Sequence, residues 1–144
     1  MAKEYIRISW DKLDISVRAE LLSEFNPIVC KALRETLPSR NIMSHAVVAG
    51  SQMYWPYRLV VKPEDCNTED MSKQPEGRIN LELDFQYLSM NYGPVTEAVP
   101  AIAVAQVVEE DLPKLPVIGQ ASWNNLLFEK DYIIVEITYL GGDC

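Results

Sequence analysis

The stretch NIMSHAVVAGSQMYWPYRLVV, residues 41–61, contains the only histidine of the chain, His45, among mostly apolar residues. Residues 42–49 and 52–61 are rich in β-branched and aromatic side chains, which is typical of strands. Gly50–Ser51 lies between them and predicts a two-residue turn. The stretch is therefore predicted to form a β-hairpin.

The turn fixes the register of this predicted hairpin, in which Ala49 pairs with Gln52, and His45 with Pro56. Neighbouring side chains on a strand point to opposite faces. One face then carries four polar side chains: His45, Gln52, Tyr54 and Arg58. The other face is predicted to join the core: Ile42, Ala46, Val48, Met53, Trp55, Tyr57 and Leu59. A one-residue change in the turn would separate the polar group, because it moves the side chains of a strand to the other face.

Two strands and a helix are predicted before this hairpin. YIRISW (5–10) and ISVRAEL (15–21) alternate apolar and polar residues and predict a first β-hairpin. The next stretch, NPIVCKALRETLP, changes to helical spacing. Asn26 is predicted to cap an amphipathic helix in which Pro27 takes the first position and which Pro38 stops. Its apolar stripe is Ile28, Val29, Ala32, Leu33, Thr36 and Leu37.

The segments after the hairpin are again mostly strands. A polar loop over 62–78 is followed by an alternating strand over 79–87, which ends before a break at Gly93–Pro94. A strand buried on both faces is predicted at 101–108, and a short helix over 120–128. The final strand is predicted over 131–140, with Ile133, Val135 and Ile137 inward. The sequence therefore predicts a mostly β fold with one or two helices, in a single domain over 1–144. The irregular spacing of the strands favours a closed β-barrel over repeated βαβ units.

Charge and cysteine usage argue against several function classes. There are 21 acidic and 13 basic residues, and the net charge of −8 argues against binding a nucleic-acid backbone. The sequence contains neither a basic amphipathic patch nor an apolar run of about 20 residues, so it gives no indication of a membrane protein. The N-terminus alternates like a strand and has no apolar signal core, so a cytoplasmic location is expected, with Cys30, Cys66 and Cys144 as free thiols. One histidine and scattered cysteines make no zinc site, and no glycine-rich phosphate loop is present, so neither a metal nor a cofactor is predicted.

The polar face of the predicted hairpin suggests a catalytic site. An imidazole at His45 beside the phenol of Tyr54 can exchange protons with a substrate near neutral pH. Arg58 can bind a carboxylate with two hydrogen bonds. The alternative is that His45 is a buried histidine bonded to a neighbour and that Arg58 pairs with a surface acid.

Further candidate residues lie where the predicted strands end. Gln52, Trp55 and Tyr92 are predicted to contact a substrate, and Tyr87 could also line a pocket, although aromatic residues in strands more often belong to the core. Glu97 could supply a carboxylate there, although an exposed loop acid is the commoner explanation.

The order of these pieces resembles a known family. The first hairpin leads into the NP…ALRETLP helix, then SHAVVAGSQMYWPYR, a long loop, more strands, and LPVIGQASWNNL before the last strand. Over residues 5–139 this resembles the small bacterial cyclophilin-like domains, in particular the group related to the imidazole-opine (cucumopine and mikimopine) synthases. The resemblance implies a closed β-barrel capped by one or two helices. It also implies a cofactor-free condensation, of the Pictet–Spengler type, between an amino acid such as histidine and a 2-oxo acid. His45 and Tyr54 would then act as acid and base, and Arg58 would hold a carboxylate.

Two other functions stay open at this point. The chain could be a non-catalytic module that binds a small ligand or forms a homo-oligomer, with a contact surface around Trp55 and Tyr87. A prolyl isomerase ranks last, because the arginine followed by a QGGD-like stretch that marks true cyclophilins is absent, and the GGDC at 141–144 lies in a different context. The expected partner in the enzyme hypothesis is a small carboxylate-bearing metabolite.

Overall fold

The strands and helices are taken from a computed structural model, which describes residues 2–142. The strands within that range are β1 (Tyr5–Trp10), β2 (Ile15–Leu21), β3 (Ser39–Ile42), β4 (Ser44–His45), β5 (Gly50–Pro56), β6 (Glu69–Asp70), β7 (Arg78–Glu82), β8 (Tyr87–Val95), β9 (Pro100–Val107) and β10 (Ile134–Gly141). The α-helices are α1 (Pro27–Glu35) and α2 (Leu115–Asn124). Single 3-10 turns occur at Asp11–Leu13, Pro63–Asp65 and Met71–Lys73, a longer 3-10 segment at Glu109–Lys114 precedes α2, and a π-helical segment at Asn125–Glu129 extends it.

The main sheet is antiparallel throughout and nearly closed on itself. Its order is β3-β10-β1-β2-β9-β7-β8-β5-β4, and β6 pairs separately with β9. The two ends of this order, β3 and β4, are separated only by Met43, whose N–H donates to the carbonyl of Ile133 (2.8 Å). The segment 39–45 therefore pairs with β10 on one side and with β5 on the other. This arrangement confirms the predicted mostly β, barrel-like fold with capping helices.

The alternating apolar side chains of the first and last strands point into the core, as predicted. Ile6, Ile8 and Trp10 on β1 are at most 1% exposed, and β1 pairs with β2 as the predicted first hairpin. On the other side of β1, the chain before and within β10 turns Ile133, Val135 and Ile137 into the same core. The barrel interior is thus built from side chains that alternate along the strands, as apolar burial requires.

Helix α1 forms where the spacing predicts it, but its first residue is not capped as predicted. The side chain of Asn26 is completely buried and accepts no bond from the helix. Its amide donates to the carbonyls of Asn67 (2.9 Å) and Ala103 (2.7 Å), and its oxygen accepts from the Asn67 N–H (2.7 Å). Asn26 therefore holds the long loop against β9. The predicted stripe is also wrong at Ile28, which is 49% exposed, because α1 turns Val29, Cys30 and Leu33 inward instead.

The strand predicted over 79–87 is wrong, because the chain reverses within it. Strand β7 ends at Glu82, and β8 starts at Tyr87 and pairs with β7 antiparallel. Gln86 has a φ of 58°, a left-handed conformation that the chain uses in the turn without a glycine. Strand β8 then continues through Gly93–Pro94, where a break was predicted.

The region before the predicted second helix is helical as well. Pro116 does not prevent this, because it lies in the first turn of α2, where a missing N–H removes no helical bond. The short helix predicted over 120–128 is thus the second half of α2 with its π-helical extension. No helix within residues 2–142 has the length and apolar character that crossing a membrane requires.

Candidate functional site

The register of the hairpin at the centre of the sequence differs from the predicted one. His45 pairs with Met53, and Ser44 with Tyr54, so the connection runs over Ala46–Ala49 and is not a two-residue turn at Gly50–Ser51. Gly50 belongs to β5, where its φ of 97° and a Cβ position only 2.7 Å from the Pro94 carbonyl oxygen both require glycine. Because opposite residues share a face, His45 points to the same side of the sheet as Met53, and Tyr54 points to the other side. The predicted polar group is therefore divided between the two faces.

The outer face of strands β5, β8 and β7 carries a row of polar side chains. Tyr54 lies opposite Ser89, Ser89 opposite Asn80, and Tyr87 opposite Glu82. The alternate residues of the same strands, such as Trp55, Leu88 and Leu81, are buried in the barrel core. These strands therefore separate an apolar interior from a polar outer surface.

A cavity of about 470 Å³ lies over this polar surface. Its floor and inner wall are formed by side chains of the three strands: Gln52, Tyr54, Asn80, Glu82, Tyr87 and Ser89. Its rim is formed by the connection Ala46–Ala49, by Met71 from the long loop, by Phe85 from the β7–β8 turn, and by Glu97 and Val99. The volume falls in the range of small-molecule sites in proteins, about 300–1,000 Å³.

Aromatic rings form one wall of the cavity. The ring of Tyr87 lies between those of Tyr54 (centroids 4.9 Å apart, planes tilted by 41°) and Phe85 (6.0 Å, planes 8° apart). Phe85 is 73% exposed, so this wall reaches from the floor to the solvent. Such a surface offers an aromatic ligand a face for stacking.

Two carboxylates give the cavity its charge. Burial is the largest effect that raises the pKa of Glu82. A hydrogen bond from the Asp84 backbone lowers this pKa, whereas the nearby charges of Asp84 and Glu97 raise it further. Burial also raises the pKa of the Tyr87 phenol, with Glu82 and Glu97 adding to the effect. The pKa of Glu82 therefore lies closer to neutral than that of an exposed glutamate, which suits proton transfer.

A hydrogen-bonded amide network fixes the floor of the cavity to the long loop. The Gln74 oxygen accepts from the side-chain amides of Asn80 (2.8 Å) and Asn91 (3.1 Å), and its own amide donates to the Asn80 oxygen (2.8 Å). Gln52 donates to the Asn91 oxygen (3.0 Å) and to the sulfur of Met71 (3.3 Å). The loop predicted over 62–78 is therefore anchored, and it places Met71 at the cavity rim.

His45 lies at one end of the barrel, under α2, and it is 4% exposed. Its Nδ1 lies 2.7 Å from the carbonyl oxygen of Ala46, which can only accept, so Nδ1 carries the proton. Nε2 then accepts from the hydroxyl of Tyr92 (2.5 Å), and burial lowers the His45 pKa in favour of this neutral form. The rings of Tyr92 and Trp123 both meet the imidazole edge to face. Gly119 on α2 leaves the space for the Tyr92 ring, because a Cβ there would lie 2.4–2.6 Å from it.

The structure brings some of the predicted site residues together and separates others. Gln52 and Tyr54 line the cavity, as do Tyr87 and Glu97. His45 contacts Tyr92 on the other side of the sheet, and the connection that follows His45 forms part of the cavity rim.

Besides Tyr92, two further predicted substrate-binding residues lie outside the cavity. Trp55 is completely buried in the core, and Arg58 is exposed in a separate depression beside Leu59–Val61. Glu82 and Ser89 also line the cavity, although neither was predicted as a site residue. Asn80 and Glu82 alternate with apolar residues, which indicates that both lie on one polar face but not that a cavity lies over it. Within residues 2–142, no three His, Cys, Asp or Glu side chains come together as metal ligands would.

The fold and the site define a class of protein, a nearly closed antiparallel β-barrel with a ligand-sized cavity on the outer face of its sheet. Among solved structures, the chain is similar to McbB in complex with tryptophan, with a TM-score of 0.81 and 33% sequence identity over 92% of this chain and 44% of McbB. The chain therefore spans less than half the length of that protein. The identity and the TM-score support a relation between this chain and the matched part of McbB.

A second similar structure is the solution structure of the hypothetical protein AF2241 from Archaeoglobus fulgidus. Its TM-score is 0.62 at 14% identity, over 95% of each chain, and at that identity the likeness shows the fold alone. No protein-family model matches the chain, and no match was found among curated proteins. The specific kinship with imidazole-opine synthases therefore stays a prediction.

Proposed function

We propose that this chain is a small-molecule enzyme of the condensation type, whose cavity binds an aromatic, nitrogen-bearing substrate and whose carboxylates transfer protons. The observation that carries the proposal is the position of Glu82, half-buried in an aromatic cavity beside Tyr87 and near the charge of Glu97. A carboxyl group whose pKa is raised by burial gives up and regains a proton nearer to neutral pH than an exposed one.

The aromatic wall and the comparison with McbB support the class of substrate. The rings of Tyr54, Tyr87 and Phe85 form a surface on which an indole, imidazole or phenol can stack. The related structure was solved with tryptophan bound. We therefore take an aromatic amino acid, or the corresponding amine, as the first reactant.

The proposed reaction joins this amine to the carbonyl carbon of a 2-oxo acid or aldehyde. The amine nitrogen attacks the carbonyl carbon, and one water leaves to give a cationic iminium. A carbon of the aromatic ring then forms a bond to the iminium carbon and loses its proton, which restores the aromatic ring. Glu82 in its ionised form accepts that proton, and the charge of Glu97 stabilises the cation.

The residues predicted from sequence take different parts in this proposal. Tyr54 and Gln52 contact the substrate from the floor and wall of the cavity. His45 and Tyr92 act as positioning residues, because their hydrogen bond fixes the start of the rim segment Ala46–Ala49. Arg58 has no role in the proposal, since it lies in a separate depression.

The proposal is tested by incubating the protein with pairs of aromatic amines or amino acids and carbonyl compounds. Mass spectrometry should find a product that weighs the two reactants less one water, formed faster than in buffer alone. The Glu82→Gln variant should lose at least 100-fold in rate, the usual minimum for removing a general base. Glu109→Gln, which changes an exposed acid before α2, is the matched control and should keep the wild-type rate. Binding without turnover for every pair would support the non-catalytic binding module instead.

A further inference from the structure

The charges around the cavity are all of one sign. Glu82 and Glu97 line it, and none of the lining residues described within 2–142 is lysine, arginine or histidine. Arg78, at the start of β7, is already bound by both oxygens of Glu69 (3.0 and 3.2 Å), and Arg58 opens into a different depression. A ligand in the cavity therefore meets negative charge without a facing cation.

The remaining groups of the cavity also suit a cation. The adjacent rings of Phe85, Tyr87 and Tyr54 present π-faces, which attract ammonium groups. The hydroxyls of Tyr54, Tyr87 and Ser89 form no hydrogen bond to another residue in the part of the chain that the structure describes, and all three residues line the cavity. A ligand N–H in the cavity can therefore donate hydrogen bonds to these hydroxyl oxygens.

We infer that the cavity selects aromatic amines over the corresponding amino acids, so that the substrate is a cation without a carboxylate. The inference rests on the proposed function and narrows its substrate class. The ammonium of an amine is attracted by Glu82 and Glu97, whereas the α-carboxylate of an amino acid is repelled by the same two groups and meets no cation in the lining. This differs from the predicted carboxylate-bearing substrate, which depended on Arg58 lying in the same site.

The test is a matched series of ligands measured on the wild-type protein by isothermal titration calorimetry. Tryptamine has the ammonium alone, tryptophan has both charges, tryptophan methyl ester has the ammonium with its carboxylate blocked, and indole-3-propionate has the carboxylate alone. We expect tryptamine to bind at least tenfold more tightly than tryptophan, the ester to recover most of that difference, and indole-3-propionate to bind most weakly. The preference should shrink as salt is raised, because it is electrostatic.

Variants assign the preference to the two carboxylates. Glu97→Gln and Glu82→Gln should each reduce the ratio of tryptamine to tryptophan affinity, and Glu109→Gln should leave it unchanged. Tryptophan binding as tightly as tryptamine, or no binding by any ligand of the series, would overturn the inference. If tryptophan binds as tightly as tryptamine and is turned over, the inference fails but the proposed function stands. If the amine is preferred but no pair of reactants is turned over, the proposed function fails but the inference stands.

Discussion

Replacing His45 with phenylalanine tests whether the imidazole is a structural link or a catalytic group. Phenylalanine keeps a ring of similar size between Tyr92 and Trp123, but it removes both hydrogen bonds of the imidazole. The Ala46 carbonyl and the Tyr92 hydroxyl, both on partly buried residues, then lose their partner. At about 1–2 kcal/mol for each group left without a bond, His45→Phe should lower the free energy of unfolding by about 2–4 kcal/mol. For a domain of this size that corresponds to a fall in Tm of about 5–15 °C.

The same residue should make stability depend on pH. Burial lowers the His45 pKa below its ordinary value of 6.5, so the unfolded chain binds more protons than the folded one as the pH falls below that value. The contribution of neutral His45 is therefore complete above about pH 6.5, and it is lost as the pH falls through the folded pKa. Because the chain has a single histidine, the difference between the wild-type and His45→Phe curves isolates this group.

Urea unfolding between pH 5 and 8, followed by circular dichroism, measures both effects. The wild type should lose stability as the pH falls from 7 to 5, and His45→Phe should show a flatter profile at a lower level. His45→Gln, whose amide can donate and accept, is the matched control and should lose less. A loss below about 1 kcal/mol for phenylalanine, or parallel pH profiles, would show that the imidazole bonds to Ala46 and Tyr92 do not stabilise this end of the barrel.

Two further substitutions test contacts on which the site depends. Gly119→Ala should destabilise the protein by about 1–2 kcal/mol, because the clash of its Cβ with the Tyr92 ring outweighs the gain in helix propensity. A double variant that also carries Tyr92→Ala should not show this penalty. An unchanged Tm for Gly119→Ala alone would contradict the close contact. Asn26→Asp should cost about 3 kcal/mol in chemical unfolding at pH 7, because a carboxylate would face the carbonyls of Asn67 and Ala103 in a fully buried place. Stability equal to the wild type would mean that Asn26 does not hold the long loop.

The strands at the two ends of the chain could be predicted because their side chains alternate strictly. Ile6, Ile8 and Trp10 define a core face without reference to any other strand. The spacing of α1 was equally clear, since Asn26 and Pro27 mark its start. What the sequence could not predict there is that Asn26 bonds across the molecule, because its partners lie 41 and 77 residues away.

The site itself could be predicted only in part, because it depends on turns. Gly50–Ser51 resembles a hairpin turn, but Gly50 is needed for its close approach to Pro94 on a strand that comes later in the chain. The true turn between β7 and β8 contains no glycine, so Phe85 and Tyr87 looked like parts of one strand. The prediction that Tyr54 and Gln52 share one face of the sheet nevertheless agrees with the structure, in which both side chains line the cavity.

Mapping of the bound ligand by NMR tests the central claim most directly. The ¹⁵N-labelled protein is titrated with tryptamine and, separately, with tryptophan, and the backbone amide shifts are followed. If the cavity on the outer face is the functional site, the largest changes should occur at Gln52, Ser89 and Glu97, with little change at Arg58. Changes centred on Arg58 and its neighbours, with the amides of the cavity unmoved, would contradict the account.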